Sequence, residues 1–479
     1  MAGIGFELKK LFVKRGIINN IRAYFYSTIV TAGPVLLCVT MITVLQLFLS
    51  VLNVSYYERQ LFIASTIYSF IFSQVLAGSF SLIISRYVSD KIYLKKRDEI
   101  IPSLYGSLFI CLIIGGISGA LFYWLSPLST EIKSVSYILF ILLIMVWIQT
   151  IYLSAMKDFM RIVKGFLYGI LLIIISSLCW LKFQKGDEAF GLLLSMDIGF
   201  FVITVSFFAF LKSSSGGNVR GYFHFVKYLD MIPSLLFIGA FYNIAIYAHN
   251  FMFWLNGLGI TVGNTYVYAP LYDVPTFYAF LTTVPTMVFF TIEMETNFYL
   301  KYKTYYSCIS EGGDYKSIKE AGETMIKSLW EDIRKITSFQ IMVSFLFILC
   351  SAFIMPRVGI SEISIDIFYI LVLGVCAGSV MFILMTVFLY FEDRRDALIT
   401  VCIFFAGNVL FTQGTIMLNV NLYGFGYFIS ALVALVFAFF RLNLYLKDLD
   451  YHAMCSMPAT LNGENKLFSR LIDKFYKQI

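Results

Sequence analysis

The chain has 479 residues, of which 59% are apolar and 14% charged, and its net charge is +7. The apolar residues gather in long uncharged runs, which excludes a large soluble helical protein. The positive balance follows membrane topology, so no nucleic-acid partner is expected.

In chain order, a basic amphipathic segment, 1–23, leads into twelve apolar stretches. They lie near 24–52, 61–87, 104–125, 135–156, 165–181, 191–211, 231–254, 269–292, 336–355, 365–391, 397–418 and 422–446. A bilayer core takes about 20 apolar residues per helix, so each stretch is a predicted span. The first is too long for the apolar core of a cleaved signal peptide and is expected to stay as an anchor. Gly33 and Pro34 predict a break in span 1. Span 2 ends on Arg86 and runs into DKIYLKK, 90–96. Span 6 carries Asp197 in LLLSMDIGFF with no basic neighbour in sequence. An ionisable group at that depth is expensive, which predicts a carboxylate that is paired or faces a water-filled cavity.

The Ser/Gly-rich connection 212–230 has the composition of a flexible linker and splits the spans six and six. The expected lobes are 24–211 and 231–446, with a tail at 447–479. Parallel halves of this kind are a known transporter plan, and NFYLKYK, 297–303, follows span 8 much as DKIYLKK follows span 2. Pro233 opens span 7, which is unusually polar and aromatic: it holds Tyr242, Asn243, Tyr247, His249, Asn250, Trp254 and Asn256. Tyr242, Asn243, Tyr247 and Asn250 share one helical face. That face either lines a sugar pathway, with amides to hydroxyls and rings to C–H faces, or seals helix packing by hydrogen bonds. Asp273 begins span 8, Pro275 and Pro285 are expected to interrupt it, and Glu293 ends it. Arg86 and Glu293 read as interface or gate charges that snorkel to the membrane surface.

The connection 293–335 ends in an amphipathic pattern of Ile318, Gly322, Met325, Ile326, Leu329 and Ile333. The tail repeats it with Leu467, Phe468, Leu471, Ile472, Phe475 and Ile479. Each stripe either lies on the inner leaflet or docks a cytoplasmic partner. With the N-terminus inside, 31 of the 36 Lys and Arg residues fall on inside segments, and only Arg59, Lys133, Lys182, Lys185 and Arg357 fall outside. Basic residues are retained in the cytoplasm, so both termini are predicted to be cytoplasmic. The fold expected is all-α: a polytopic membrane protein with twelve transmembrane helices in two six-helix lobes.

No catalytic, cofactor or metal site is expected. The eight cysteines lack zinc-ligand spacing, and the chain has no phosphate loop, no HExxH and no credible Ser/His/Asp set.

The N-terminal MAGIGFELKKLF, followed by AYFYS at 23–27 and TAGP at 31–34, resembles the start of the PelG family. These are inner-membrane transporters of Pel exopolysaccharide systems, within the multidrug/oligosaccharidyl-lipid/polysaccharide (MOP) exporter superfamily. The resemblance implies two six-helix lobes around a central cavity lined by spans 1 and 7. It implies a cytoplasmic PelF-like glycosyltransferase as partner, together with membrane proteins like PelE and like the cyclic di-GMP receptor PelD. The polymer it implies can carry free amines, which a neutral or acidic pathway suits. The expected function is export of a Pel-like exopolysaccharide for biofilm matrix. The alternatives are an ion-coupled flippase or efflux pump of the same superfamily, or a scaffold that activates the glycosyltransferase without translocation.

Overall fold

The computed structural model describes residues 17–183, 186–213, 221–456 and 470. The first sixteen residues, 214–220 of the linker and the apolar stripe of the tail lie outside the described residues.

Among the described residues, twelve helices are long and apolar enough to cross a membrane. They are α1 (Ile17–Val51), α2 (Tyr56–Tyr93), α3 (Ile100–Trp124), α4 (Thr130–Ala155), α5 (Phe159–Phe183), α6 (Glu188–Ser213) and α7 (Pro233–Leu255), then α8 (Pro270–Ser310), α9 (Tyr315–Arg357), α10 (Glu362–Tyr390), α11 (Arg394–Leu418) and α12 (Phe425–Lys447). Their starts follow local chemistry. Ser55, Ser129 and Ser361 cap α2, α4 and α10 by accepting backbone N–H groups, and Asp393 does so for α11. Pro233 stands at the first turn of α7, where its missing donor costs nothing. Within the spans, hydroxyls such as those of Thr31, Thr150 and Thr204 turn back onto carbonyls of their own helix, as a bilayer demands.

Two departures from the sequence expectation concern the eighth and ninth spans. α8 does not stop near 292. It continues through a π-helical turn, Met294–Phe298, into Tyr299–Ser310. α9 is one 43-residue helix, so the amphipathic segment at 317–335 runs unbroken into the apolar span. Its stripe is not free. Ile318, Met325, Leu329 and Ile333 are buried, and Gly322 faces the ring of Tyr305 on α8.

The described residues form two compact units. The first contains Gly33–Ile244, Gly259–Tyr268 and Arg470; the second contains the described chain up to Ala32, then Ala245–Leu258 and residues 269–456. The divisions fall inside α1, beside Gly33-Pro34, and inside α7.

In the first unit, α2 and α6 run side by side in one direction. Glu58 accepts the N–H of Ala189 at 2.9 Å, the Thr66 hydroxyl meets the Met196 sulfur at 3.9 Å, and Phe70 meets Phe200 edge-on. α5 touches α6 backbone to backbone: a Cβ on Gly199 would stand 2.7 Å from the Gly169 carbonyl oxygen. Small residues permit this approach, the usual device of helix pairs in lipid. The unit also holds a short antiparallel hairpin, β1 (Ile260–Val262) and β2 (Tyr266–Tyr268), inserted between α7 and α8. Gly263 and Asn264 turn it, with φ of +57° and +47°. Glycine and asparagine tolerate that left-handed region best.

In the second unit, α12 packs on α10 and α11. Gly426 takes the Thr412 backbone so closely that a Cβ would lie 2.5 Å from its nitrogen, and Gly374 faces Tyr427.

Candidate functional site

Asp197 projects from α6 into the interior of the first unit. It is 6% exposed, and neither carboxylate oxygen has a hydrogen-bond partner among the described residues. One residue earlier, Met196 receives the Thr66 hydroxyl. Two turns on, Gln149 of α4 donates to the Thr204 carbonyl at 3.2 Å. A row of buried hydroxyls, Ser65, Thr66, Ser69 and Ser73, follows one face of α2. Ser73 accepts from Trp147 at 3.1 Å, and Ser69 donates to the Ser136 carbonyl at 3.4 Å. An ionised carboxylate without partners at membrane depth costs several kcal/mol.

The polar face of α7 is divided. Asn243, in the first unit, donates to Gly239 at 2.8 Å and lays its amide on Gly78 of α2, within 2.5 Å of where a Cβ would be. A Cβ on Gly239 would stand 2.9 Å from the Ser79 carbonyl oxygen and 3.0 Å from that of Gly78. Tyr242 and Tyr247 are half-buried, and Tyr247 packs on Phe251.

In the second unit, Asp273 is saturated. It accepts the Asn250 amide at 2.6 Å, the Trp254 indole N–H at 2.8 Å and the Ala269 backbone N–H at 2.7 Å. His249 is 0% exposed. Its Nδ1 lies 2.9 Å from the Tyr272 hydroxyl, and its ring packs on Tyr427. Asn408 donates to the Ala245 carbonyl at 2.7 Å. Asn256 and Gln413 exchange two amide hydrogen bonds, at 2.9 and 3.1 Å. Asp273, Asn250 and Trp254 thus form one constellation, with His249 beside it; Asp197 and Asn243 belong to the other unit.

The two charges near the span ends are engaged. Arg86 pairs with Asp90 at 3.2 Å, and Asp90 also accepts the Tyr228 hydroxyl at 2.9 Å. Nearby, Lys91 and the more distant His224 share Glu99, at 2.5 and 3.8 Å. Burial holds the His224 imidazole below its ordinary pKa, against the opposing pull of Glu99. Glu293 accepts from Asn297 at 2.7 Å and meets Lys335 at 3.5 Å.

Of the breaks expected in α8, one falls at Thr282, between two helical stretches. Pro285 explains it: the Leu281 carbonyl loses its N–H partner. Pro275 lies inside the first stretch without ending it, and Pro34 likewise lies inside α1.

The sequence reading passes over the hairpin and the amides Gln149, Asn408 and Gln413. The pair Gly263-Asn264 between ITV and YVY is a hairpin signal. A cavity of about 360 Å³ lies beside the hairpin turn in the first unit, lined in part by Tyr57, Glu58, Glu131, Asp187, Phe190 and Asn264.

A family model described as "PelG: Putative exopolysaccharide Exporter (EPS-E)" matches residues 1–454. A search of the curated proteins returns no match. Solved structures share the fold. An outward-facing multidrug resistance MATE family transporter of the MOP superfamily aligns with a TM-score of 0.60 and 12% identity, over 89% of this chain and 96% of that one. A MOP superfamily transporter from Pyrococcus furiosus gives 0.57 and 14%, over 89% and 96%. The MATE transporter ClbM in complex with Rb+ gives 0.56 and 13%, over 89% and 96%. At these identities the likeness carries the fold alone.

Proposed function

This chain belongs to the PelG exopolysaccharide-exporter family, and on that premise we propose that it passes a Pel-like exopolysaccharide, made by a cytoplasmic PelF-like glycosyltransferase, across a bacterial inner membrane for biofilm matrix. The observation that carries this reading is a family match over residues 1–454 on a twelve-span chain with the MOP transporter fold. In this reading both termini and the connection between α8 and α9 are cytoplasmic, because that threading places 31 of 36 basic residues inside. PelD-like and PelE-like membrane proteins complete the assembly, the former bringing cyclic di-GMP control. The chain itself performs no catalysis; it supplies the passage.

The test is deletion and complementation in a polymer-secreting strain. Loss of secreted polymer, with polymer accumulating inside the cell and release restored by the intact gene, supports export. Unchanged secretion without the gene overturns it.

One observation favours a second reading on the same fold, an ion-coupled flippase or efflux pump for small molecules. Asp197 is buried with both oxygens unpaired among the described residues, as a proton- or ion-binding carboxylate would be. Drug accumulation in a strain lacking the polymer genes separates the two: extrusion that depends on this chain favours the pump. A scaffold that only activates the glycosyltransferase is the remaining alternative.

A further inference from the structure

We propose that the cavity beside the hairpin turn is a binding site for a ligand that carries an ammonium group on a ring, either a unit of an amine-bearing saccharide or a free cyclic amine. Binding rests on the cavity itself; a role in polymer release rests on the export reading above.

Every residue that lines the cavity belongs to the first unit. The starts of α2, α4 and α6 and the hairpin turn surround it. Its volume of about 360 Å³ is that of a small-molecule site, a class that spans about 300–1,000 Å³. Three carboxylates line it: Glu58 and Glu131, in the first turns of α2 and α4, and Asp187, just before α6. Each helix start contributes roughly half a positive charge, so three carboxylates leave the cavity net negative. Glu58 accepts the Ala189 N–H with one oxygen only. Among the described residues, no Lys or Arg forms an ion pair with any of the three. The carboxylates are also spread out. Among the described residues, no group of three His, Cys, Asp or Glu side chains could hold a metal ion, so the cavity suits a body larger than an ion.

The rest of the wall selects that body. Tyr57 is 54% exposed, and Phe190 is half-buried with Trp180 edge-on to it at 5.7 Å. An accessible aromatic ring attracts a cation over its face and gives the apolar edge of a ring something to pack on. Asn264, at the hairpin tip, adds an amide for hydroxyl groups. An anionic ligand is repelled by the same three carboxylates. In the threading adopted for export, these helix starts face away from the cytoplasm, so the site would meet a polymer as it leaves.

The experiment is isothermal titration of the purified full chain, in neutral detergent at low salt, with the disaccharide of glucosamine and with its N-acetylated form. The ammonium-bearing disaccharide is expected to bind and the neutral one not to. Cyclohexylamine distinguishes the two sources: binding as tight as the disaccharide's assigns the site to free amines, and weaker binding assigns it to a saccharide unit. Glu131→Gln with Asp187→Asn removes two charges from exposed side chains, and asparagine tolerates the positive φ of Asp187, +52°. This double variant is expected to keep a thermal midpoint close to wild type and to bind about tenfold more weakly. Equal binding of the charged and neutral disaccharides, no binding of either ammonium ligand, or undiminished binding by the folded variant overturns the proposal. Should the variant fail to fold, the intact protein supplies the second measurement: its affinity for the charged disaccharide is expected to fall as salt is raised, and salt-independent binding overturns the proposal. The titration involves no transport, so its failure leaves the export reading to the deletion test.

Discussion

The Ser364 hydroxyl donates to the Leu271 carbonyl at 3.1 Å, and this is the carbonyl whose helical N–H partner Pro275 removes. A side chain on α10 thus satisfies the group orphaned on α8, which lets the helix continue through Pro275. Ser364→Ala is expected to leave that carbonyl unpaired and cost about 1–3 kcal/mol, read as a lower thermal midpoint in detergent. Pro275→Ala restores the N–H, so the double variant is expected to be more stable than Ser364→Ala alone. Additive losses contradict this pairing.

Asp197→Asn removes no hydrogen bond or ion pair seen among the described residues. It is expected to fold with unchanged or higher thermal stability while secreting less polymer at the same protein level. Normal secretion removes Asp197 from the mechanism, and a large stability loss shows that it has a structural partner.

Gly199→Ala is expected to push α6 off α5, because the new methyl group meets the Gly169 carbonyl at 2.7 Å and Ile173 closer still. Overpacking of this kind costs about 1–3 kcal/mol. The same shift moves Asp197, two residues away, so secretion is expected to fall further than the stability loss alone explains. A variant with wild-type stability contradicts the backbone contact.

Burial, and then the neighbouring Asp396 carboxylate, push Asp393 up from 3.8 to about 6. Its ionised form is therefore disfavoured in the folded protein, and stability is lost as pH rises from 3.8 through about 6. Asp393→Asn keeps a capping side chain at the start of α11. Its thermal midpoint is expected to gain on wild type across that window as pH is raised. Parallel profiles contradict the assignment.

The spans are legible in the sequence because about 20 apolar residues and the asymmetry of Lys and Arg are direct consequences of a bilayer. What lies beyond the bilayer is less so. Nothing between Tyr315 and Met355 breaks a helix apart from Gly322, and Gly322 is needed against Tyr305; the amphipathic and apolar patterns therefore join without a boundary. The polar face of α7 is a true periodicity, but periodicity cannot say which neighbour each residue meets. Asn243 turns to Gly78 and Asn250 to Asp273, in different units. Asp273 is visible as a costly charge, whereas its three donors become visible only in three dimensions. The hairpin turn is written plainly as Gly263-Asn264, yet its seat on Tyr68 lies 199 residues away along the chain.

The proposed export of polysaccharide by this chain is tested most directly with the purified protein in vesicles, beside the glycosyltransferase and its sugar nucleotide on one face. The expected result is new polymer in the opposite compartment, protected from a glycosidase added on the enzyme's side. Polymer confined to the enzyme's own side would contradict export.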